Sequence, residues 1–167
     1  MIITYTLRRF WVTPLIMAAL LTHPVWAESA RFIPNANGTV LDSATGLMWQ
    51  KADSFHDGQQ GMNWYQALEY VDRKNTEKFA GYNDWRLPTL EEVRVLWDPK
   101  RPVNGKDGDP LGLPAVFAGG GSYYIWTGTE RNLDNAWYFG LGQKEEYWNL
   151  KDLGDLDQGV KLVRKAR

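Results

Sequence analysis

The alternation of apolar and polar runs divides the chain beyond residue 27 into three parts. Arg31-Phe32-Ile33 is a short β-type run, and Asn35 to Gly38 is a cluster of turn formers. Thr39-Val40-Leu41-Asp42 and Leu47-Met48-Trp49-Gln50-Lys51 flank Ser43-Ala44-Thr45-Gly46, the pattern of a β-hairpin. Asn63, with Gln66 three residues on, is a capping box that opens a helix. Trp64, Ala67, Leu68 and Val71 fall at i, i+3, i+4 and i+7 along one face, and the helix should reach Lys74 or Asn75. Thr89 with Glu92 opens a second helix, whose apolar face is Leu90, Val93, Leu96 and Trp97 and which Pro99 stops. Asp98 to Ser122 is dense in Gly, Pro and Asp and reads as one long loop, and loops longer than about 12–15 residues are usually functional or mobile. β-type runs follow at Tyr123–Thr127, Ala136–Leu141, Glu146–Asn149 and Val160–Val163. Two helices packed on short antiparallel sheets, with one long loop, make an α+β domain.

Composition changes the picture at the N-terminus. Arg8 and Arg9 precede the largely apolar run Phe10–Leu21, and Val25-Trp26-Ala27 supplies a small-residue cleavage site. Residues 1–27 are therefore expected to be a secretory signal peptide, leaving 28–167 as one exported domain, periplasmic or secreted, with no membrane span after cleavage. Removing that segment takes two arginines and no acid from 19 basic and 20 acidic residues, so the remainder carries −3. That charge gives no footprint for nucleic acid. The chain has nine tryptophans and no cysteine, which excludes a disulfide, a thiolate metal site and a cysteine nucleophile. Stability must come from packing and hydrogen bonds.

Three segments carry a resemblance. Gly38-Thr39-Val40-Leu41-Asp42 through Ala44-Thr45-Gly46-Leu47-Met48-Trp49-Gln50-Lys51, then Gly81-Tyr82-Asn83-Asp84-Trp85-Arg86-Leu87-Pro88-Thr89, then Trp126-Thr127-Gly128-Thr129 with Asn135-Ala136-Trp137-Tyr138, closed by Val160–Arg164, resemble the bacterial Lcl C-terminal domain family. That family is named for the C-terminal domain of a collagen-like adhesin. Arg86-Leu87-Pro88-Thr89 followed by Glu92 also resembles a stretch of the formylglycine-generating-enzyme family. Both families are similar to the C-type-lectin fold, so the resemblance implies that fold and an exported recognition or adhesion role. Many members carry cysteines where this chain has Val71 and Leu162; the resemblance implies that an apolar pair replaces a disulfide, with Val71 packed against Leu162.

The candidate chemistry is sparse. Arg86 should bridge its loop to a carboxylate such as Asp84 or Glu92, with Thr89 capping the helix; these are framework roles. Strand alternation in Glu145-Glu146-Tyr147-Trp148-Asn149 places Tyr147 and Trp148 on opposite faces, so one of them should be exposed. Tyr123, Tyr124, Trp148 and Asn149 are the candidate ligand-binding residues, beside the long loop. Asp107 and Asp109 are candidate calcium ligands, although neither acidic loop has EF-hand spacing and the lectin sugar-binding signatures are absent. Lys100, Arg101 and Lys106 would form a basic patch. His56, the one histidine after residue 27, sits in a polar loop; a Ser-His-Asp arrangement is formally open, but no Gly-x-Ser-x-Gly elbow exists. The expectation is a non-catalytic domain that binds a glycan or a surface protein. A module of an envelope or pilus assembly, and a hydrolase or oxidase on the same fold, are the alternatives.

Overall fold

The computed structural model describes residues 30–166, so the expected signal segment lies outside the described residues. The first hairpin forms as its turn residues dictate: β2 (Thr39–Asp42) and β3 (Leu47–Gln50) are joined through Gly46 at φ 67°. β1 (Phe32–Pro34) pairs outside β2. The last strand, β10 (Val163–Lys165), closes the other side of β3, giving an antiparallel sheet of order β1-β2-β3-β10. A second four-stranded sheet, β8-β7-β6-β9, joins β6 (Tyr124–Glu130), β7 (Asn135–Gly140), β8 (Glu145–Leu150) and β9 (Gln158–Gly159). Only its β6–β9 pair is parallel, and β6 is bulged between Trp126 and Glu130. The protein is thus a mixed α+β domain with few helices.

Helix α2 (Trp64–Thr76) starts on the reciprocal Asn63–Gln66 capping box and buries Trp64, Ala67, Tyr70 and Val71. Three expectations need correction. The second helix, α3 (Leu90–Arg94), is only five residues long. After it the chain tightens into i→i+3 bonds from the Leu96 and Trp97 N–H groups, and the Trp97 indole donates to the Leu141 carbonyl at 2.9 Å. Residues taken for a polar loop form a further helix, α1 (Ser54–Gly58), too short to show a period; its signal is a capping box in which His56 replaces the usual Glu or Gln. The segment 98–122 is not a free loop. It contains the hairpin β4 (Val103–Asn104) and β5 (Pro110–Leu111), and it buries Val103, Leu111, Leu113 and Phe117. Its glycines and prolines shape a path across the core.

Strand period divides the interior into two cores. Ile125 and Val163 join Val40, Trp49, Leu96 and Phe139 on one side; their chain neighbours Trp126 and Leu162 join Trp64, Val71, Trp85 and Leu87 on the other. Val71 and Leu162 therefore share one buried cluster. Trp49, Trp64, Trp85 and Trp126 are buried framework, while Trp97 and Trp137 are partly buried. The indoles of Trp64, Trp85 and Trp126 donate to backbone carbonyls of Thr127, Phe79 and Met62.

The turn Asp84–Thr89 ties the cores together. Arg86 pairs its backbone with Val163 and its guanidinium with both oxygens of Glu92, at 2.7 Å each. Glu92 also accepts the Thr89 N–H, so the capping box and the ion pair share one carboxylate. Asp84 does not serve Arg86. It takes Arg164, at 2.6 and 3.2 Å, and that guanidinium lies 3.7 Å over the Tyr82 ring. The Arg164 side chain is 2% exposed and that of Asp84 40%. This asymmetry sets an expected outcome. Asp84→Ala strands a buried guanidinium and should cost about 3–5 kcal/mol, whereas Arg164→Met leaves a carboxylate that water reaches and should cost less than half as much. Urea unfolding of the two variants checks the order.

Candidate functional site

Gly105 lets the chain pass close enough to receive the Tyr123 ring, which would stand 2.7 Å from a Cβ at that position. The Tyr123 hydroxyl accepts the N–H groups of Asp107 (3.2 Å) and Asp109 (3.3 Å) and so fixes the tip of the β4–β5 hairpin. Between this tip and sheet β8-β7-β6-β9 lies a cleft of about 370 Å³, within the usual ligand-pocket range of about 300–1,000 Å³. Tyr123, Tyr124, Asp107 and Asp109 line it, so four of the candidate residues do converge. Arg101, Gln143 and Asp157 complete it. Asp157 stood out in the sequence only as the end of a second acidic loop, Asp152–Asp157, and Gln143 gave no signal; both reach the cleft through the tertiary fold.

The cations of the cleft are already committed. The Lys106 ammonium pairs with Asp107 and, at 2.9 Å, with Asp157, and lies 5.7 Å from the centre of the Tyr123 ring. Those two hydrogen-bonded carboxylates raise its pKa further above the lysine range. Arg101 donates to the Pro110 carbonyl at 2.7 Å. Of the expected basic patch Lys106 is therefore neutralised and Arg101 is held in place with its charge intact, and three carboxylates face these two cations. The calcium reading of Asp107 and Asp109 also changes: Asp107 holds an ammonium, and among the described residues no three His, Asp or Glu side chains group around a metal-sized space.

Trp148 and Asn149 do not join the cleft. Trp148 is 48% exposed on strand β8, on the face opposite Tyr147, with the Arg131 guanidinium 3.8 Å over its ring. Asn149 turns its side-chain oxygen onto the Leu150 N–H. Tyr147 stacks on Tyr138 at 5.5 Å, and both meet Tyr124 edge-on, so Tyr124 is the member of a three-tyrosine cluster that lines the cleft. A hydrogen bond to Glu145 pushes the Tyr147 hydroxyl up to about 12. A separate apolar groove of about 460 Å³ runs between α2 and the β6 bulge, lined by Trp64, Leu68, Val71 and Leu87, with Arg86 and Glu130 at its rim.

Buried charge anchors the segment that carries the hairpin. Asp53 caps α1 and accepts the Ser122 N–H at 2.7 Å. His56 bonds Asp53 through Nδ1 (2.9 Å) and the Gly119 carbonyl through Nε2 (2.8 Å). Nδ1 donates to Asp53 Oδ1 when the ring is protonated and accepts the Asp53 N–H (3.4 Å) of the capping box when it is neutral, so both ring nitrogens are engaged and neither is left to activate a serine. Lys161, fully enclosed, donates to the carbonyls of Gln50, Lys51 and Ala52; burial pushes its pKa down to about 8 against the pull of Asp53.

The Asp53 hydrogen bond, then the Gly119 carbonyl, raise the His56 pKa. A raised folded-state pKa means stabilisation that is complete below the unfolded value near 6.5 and is lost as pH rises through the folded value. Stability measured by urea unfolding should fall as pH rises above about 6.5, and His56→Gln should flatten that slope. Above about pH 8 the lowered pKa of Lys161 acts with the opposite sign, because the unfolded lysine then binds more protons.

Comparison with known proteins adds a family and no curated relative. No curated protein matches the chain. A family model described as the Lcl C-terminal domain matches residues 38–164. That span runs from the first turn of the β2–β3 hairpin to Arg164 and takes in both cores, the Asp84–Thr89 turn and the cleft. The chain belongs to the Lcl C-terminal domain family.

Proposed function

We propose that this is an exported, non-catalytic recognition domain of C-type-lectin-like architecture, and that the cleft between the β4–β5 hairpin and Tyr124 binds a glycan. The observation that carries this reading is the composition of the cleft: two tyrosines, an amide and carboxylates around one space of about 370 Å³. Aromatic walls offer a face for the C–H side of a sugar ring, and planar polar groups accept or donate to its hydroxyls. The ligand class follows from charge. Lys106 is neutralised by its ion pairs and the three carboxylates outnumber Lys106 and Arg101, so a sulfated chain would meet repulsion, and a neutral saccharide fits better.

Absence of catalysis is supported by where shifted groups sit. Asp42, Asp53, Asp57 and Glu92 all have lowered pKa values, each held down by a structural hydrogen-bonding or cationic partner against the cost of burial. A general acid needs the opposite shift. No helix among the described residues is long and apolar enough to cross a membrane.

A glycan array probed with the purified domain tests this. Binding to neutral glycans should appear, should survive a chelator, and should weaken at least about tenfold, a loss of about 1.4 kcal/mol, in Tyr124→Ala and in Asp109→Asn, the latter with an unchanged melting temperature. Absence of binding to every glycan, or binding that these variants leave intact, contradicts the proposal.

A further inference from the structure

Strand edges in this domain are closed one after another. β1 has three residues and ends in Pro34, which offers no N–H. β10 is continued by the backbone bridge to Arg86, and β9 by the Met62 N–H donating to the Gln158 carbonyl at 3.0 Å. The β4–β5 hairpin is held by the Gly105–Gly121 bridge and by the Gly112 N–H on the Leu141 carbonyl. Among the described residues β8 alone keeps an open edge. It is six residues long, has no proline and stays in unbroken register with β7. Its protection against strand addition is limited to Glu145 and Glu146 at one end; no proline, bulge or covering segment blocks the rest.

The groups on that edge can be assigned. The Lys151 N–H donates to the Asp134 carbonyl, so residues 145, 147 and 149 turn their backbone groups to β7, and 146, 148 and 150 turn theirs outward. Leu150 is used up: its N–H goes to Asn149 Oδ1 and its carbonyl accepts the Leu153 N–H. Glu146 and Trp148 remain, with two donors and two acceptors.

We propose that this edge takes a second copy of the chain, β8 pairing antiparallel with β8 about a two-fold axis at Tyr147. In that register Glu146 stands opposite Trp148 of the second copy, and all four outward groups pair. An axis at Trp148 would instead set Glu146 against the capped Leu150. The side chains agree with the Tyr147 axis on both faces. Arg131, stacked on Trp148 and with no carboxylate in ion-pair range among the described residues, comes beside Glu146 of the second copy, whose carboxylate already holds Arg94 of its own chain and would be shared between the two guanidinium groups. On the other face Tyr147 meets Tyr147, which joins the two clusters of Tyr124, Tyr138 and Tyr147 across the axis. Two four-stranded sheets become one of eight, and two clefts come to stand on one particle.

The chain has no cysteine, so a single introduced thiol reports the register cleanly. Residues facing each other in a non-hydrogen-bonded antiparallel pair have Cα atoms about 4.5 Å apart, within disulfide reach, while two residues at 148 would be offset beyond it. The purified protein should show a concentration-dependent monomer–dimer equilibrium in sedimentation. Tyr147→Cys should cross-link under glutathione buffer at least about tenfold faster than Trp148→Cys. Tyr147→Lys, which sets like charges face to face, should give a monomer that remains folded by circular dichroism. A wild-type protein that stays monomeric at millimolar concentration, faster cross-linking at 148 than at 147, or a dimer that Tyr147→Lys leaves intact would each overturn the proposal.

Discussion

A guanidinium at 2% exposure needs a counter-charge, and the pairing of Arg164 with Asp84 is the constraint on which the rest of the domain depends. Arg164 lies on the last strand, and Asp84 lies in a turn some eighty residues earlier in the chain. Their contact brings the C-terminal end beside β3 and presents Val163 to Arg86 for backbone pairing. That placement aims Leu162 into one core and Val163 into the other. The same turn sends Arg86 to Glu92 and so positions α3 against β6 and β7. One short turn thus orders both cores and the sheet that carries the cleft.

The division of labour follows from that geometry. The residues most characteristic of the family segments, from Asp84 to Thr89 and the tryptophans Trp49, Trp85 and Trp126, are spent on burial, capping and ion pairing. The cleft is built elsewhere, from the 98–122 segment and the second sheet, and it is anchored from below by Asp53, His56 and the enclosed Lys161. A domain with no disulfide thereby holds a Gly- and Pro-rich segment in one conformation with buried charge.

Much of this was legible in the chain. The β2–β3 hairpin, the capped helix from Trp64 and strands β6, β7 and β8 follow from local turn chemistry and from periods of two and about 3.6, and they stand close to where those signals put them, whereas the run Val160–Val163, between β9 and the rest of β10, is strand only at Val163. Helix α1 was not legible, because five residues make little more than one turn and show no face. The segment from Asp98 reads as a loop since Val103, Leu111, Leu113 and Phe117 fall at no regular spacing, yet all are buried. Exposure of one residue of the Tyr147–Trp148 pair followed from alternation, and it is Trp148. The cleft itself needed the fold: nothing local links Lys106 to Asp157, and the ion pair between them neutralises the lysine of an apparent basic patch.

The central claim is that recognition resides in the hairpin cleft while the Asp84–Thr89 turn is framework. Amide chemical-shift mapping of the labelled domain during titration with a neutral oligosaccharide selected on the array tests this most directly. The account predicts that the shifts concentrate on Asp107, Asp109, Tyr124 and Gln143 and spare Asp84, Arg86 and Glu92. Shifts centred on the turn, with the cleft amides unmoved, would contradict it.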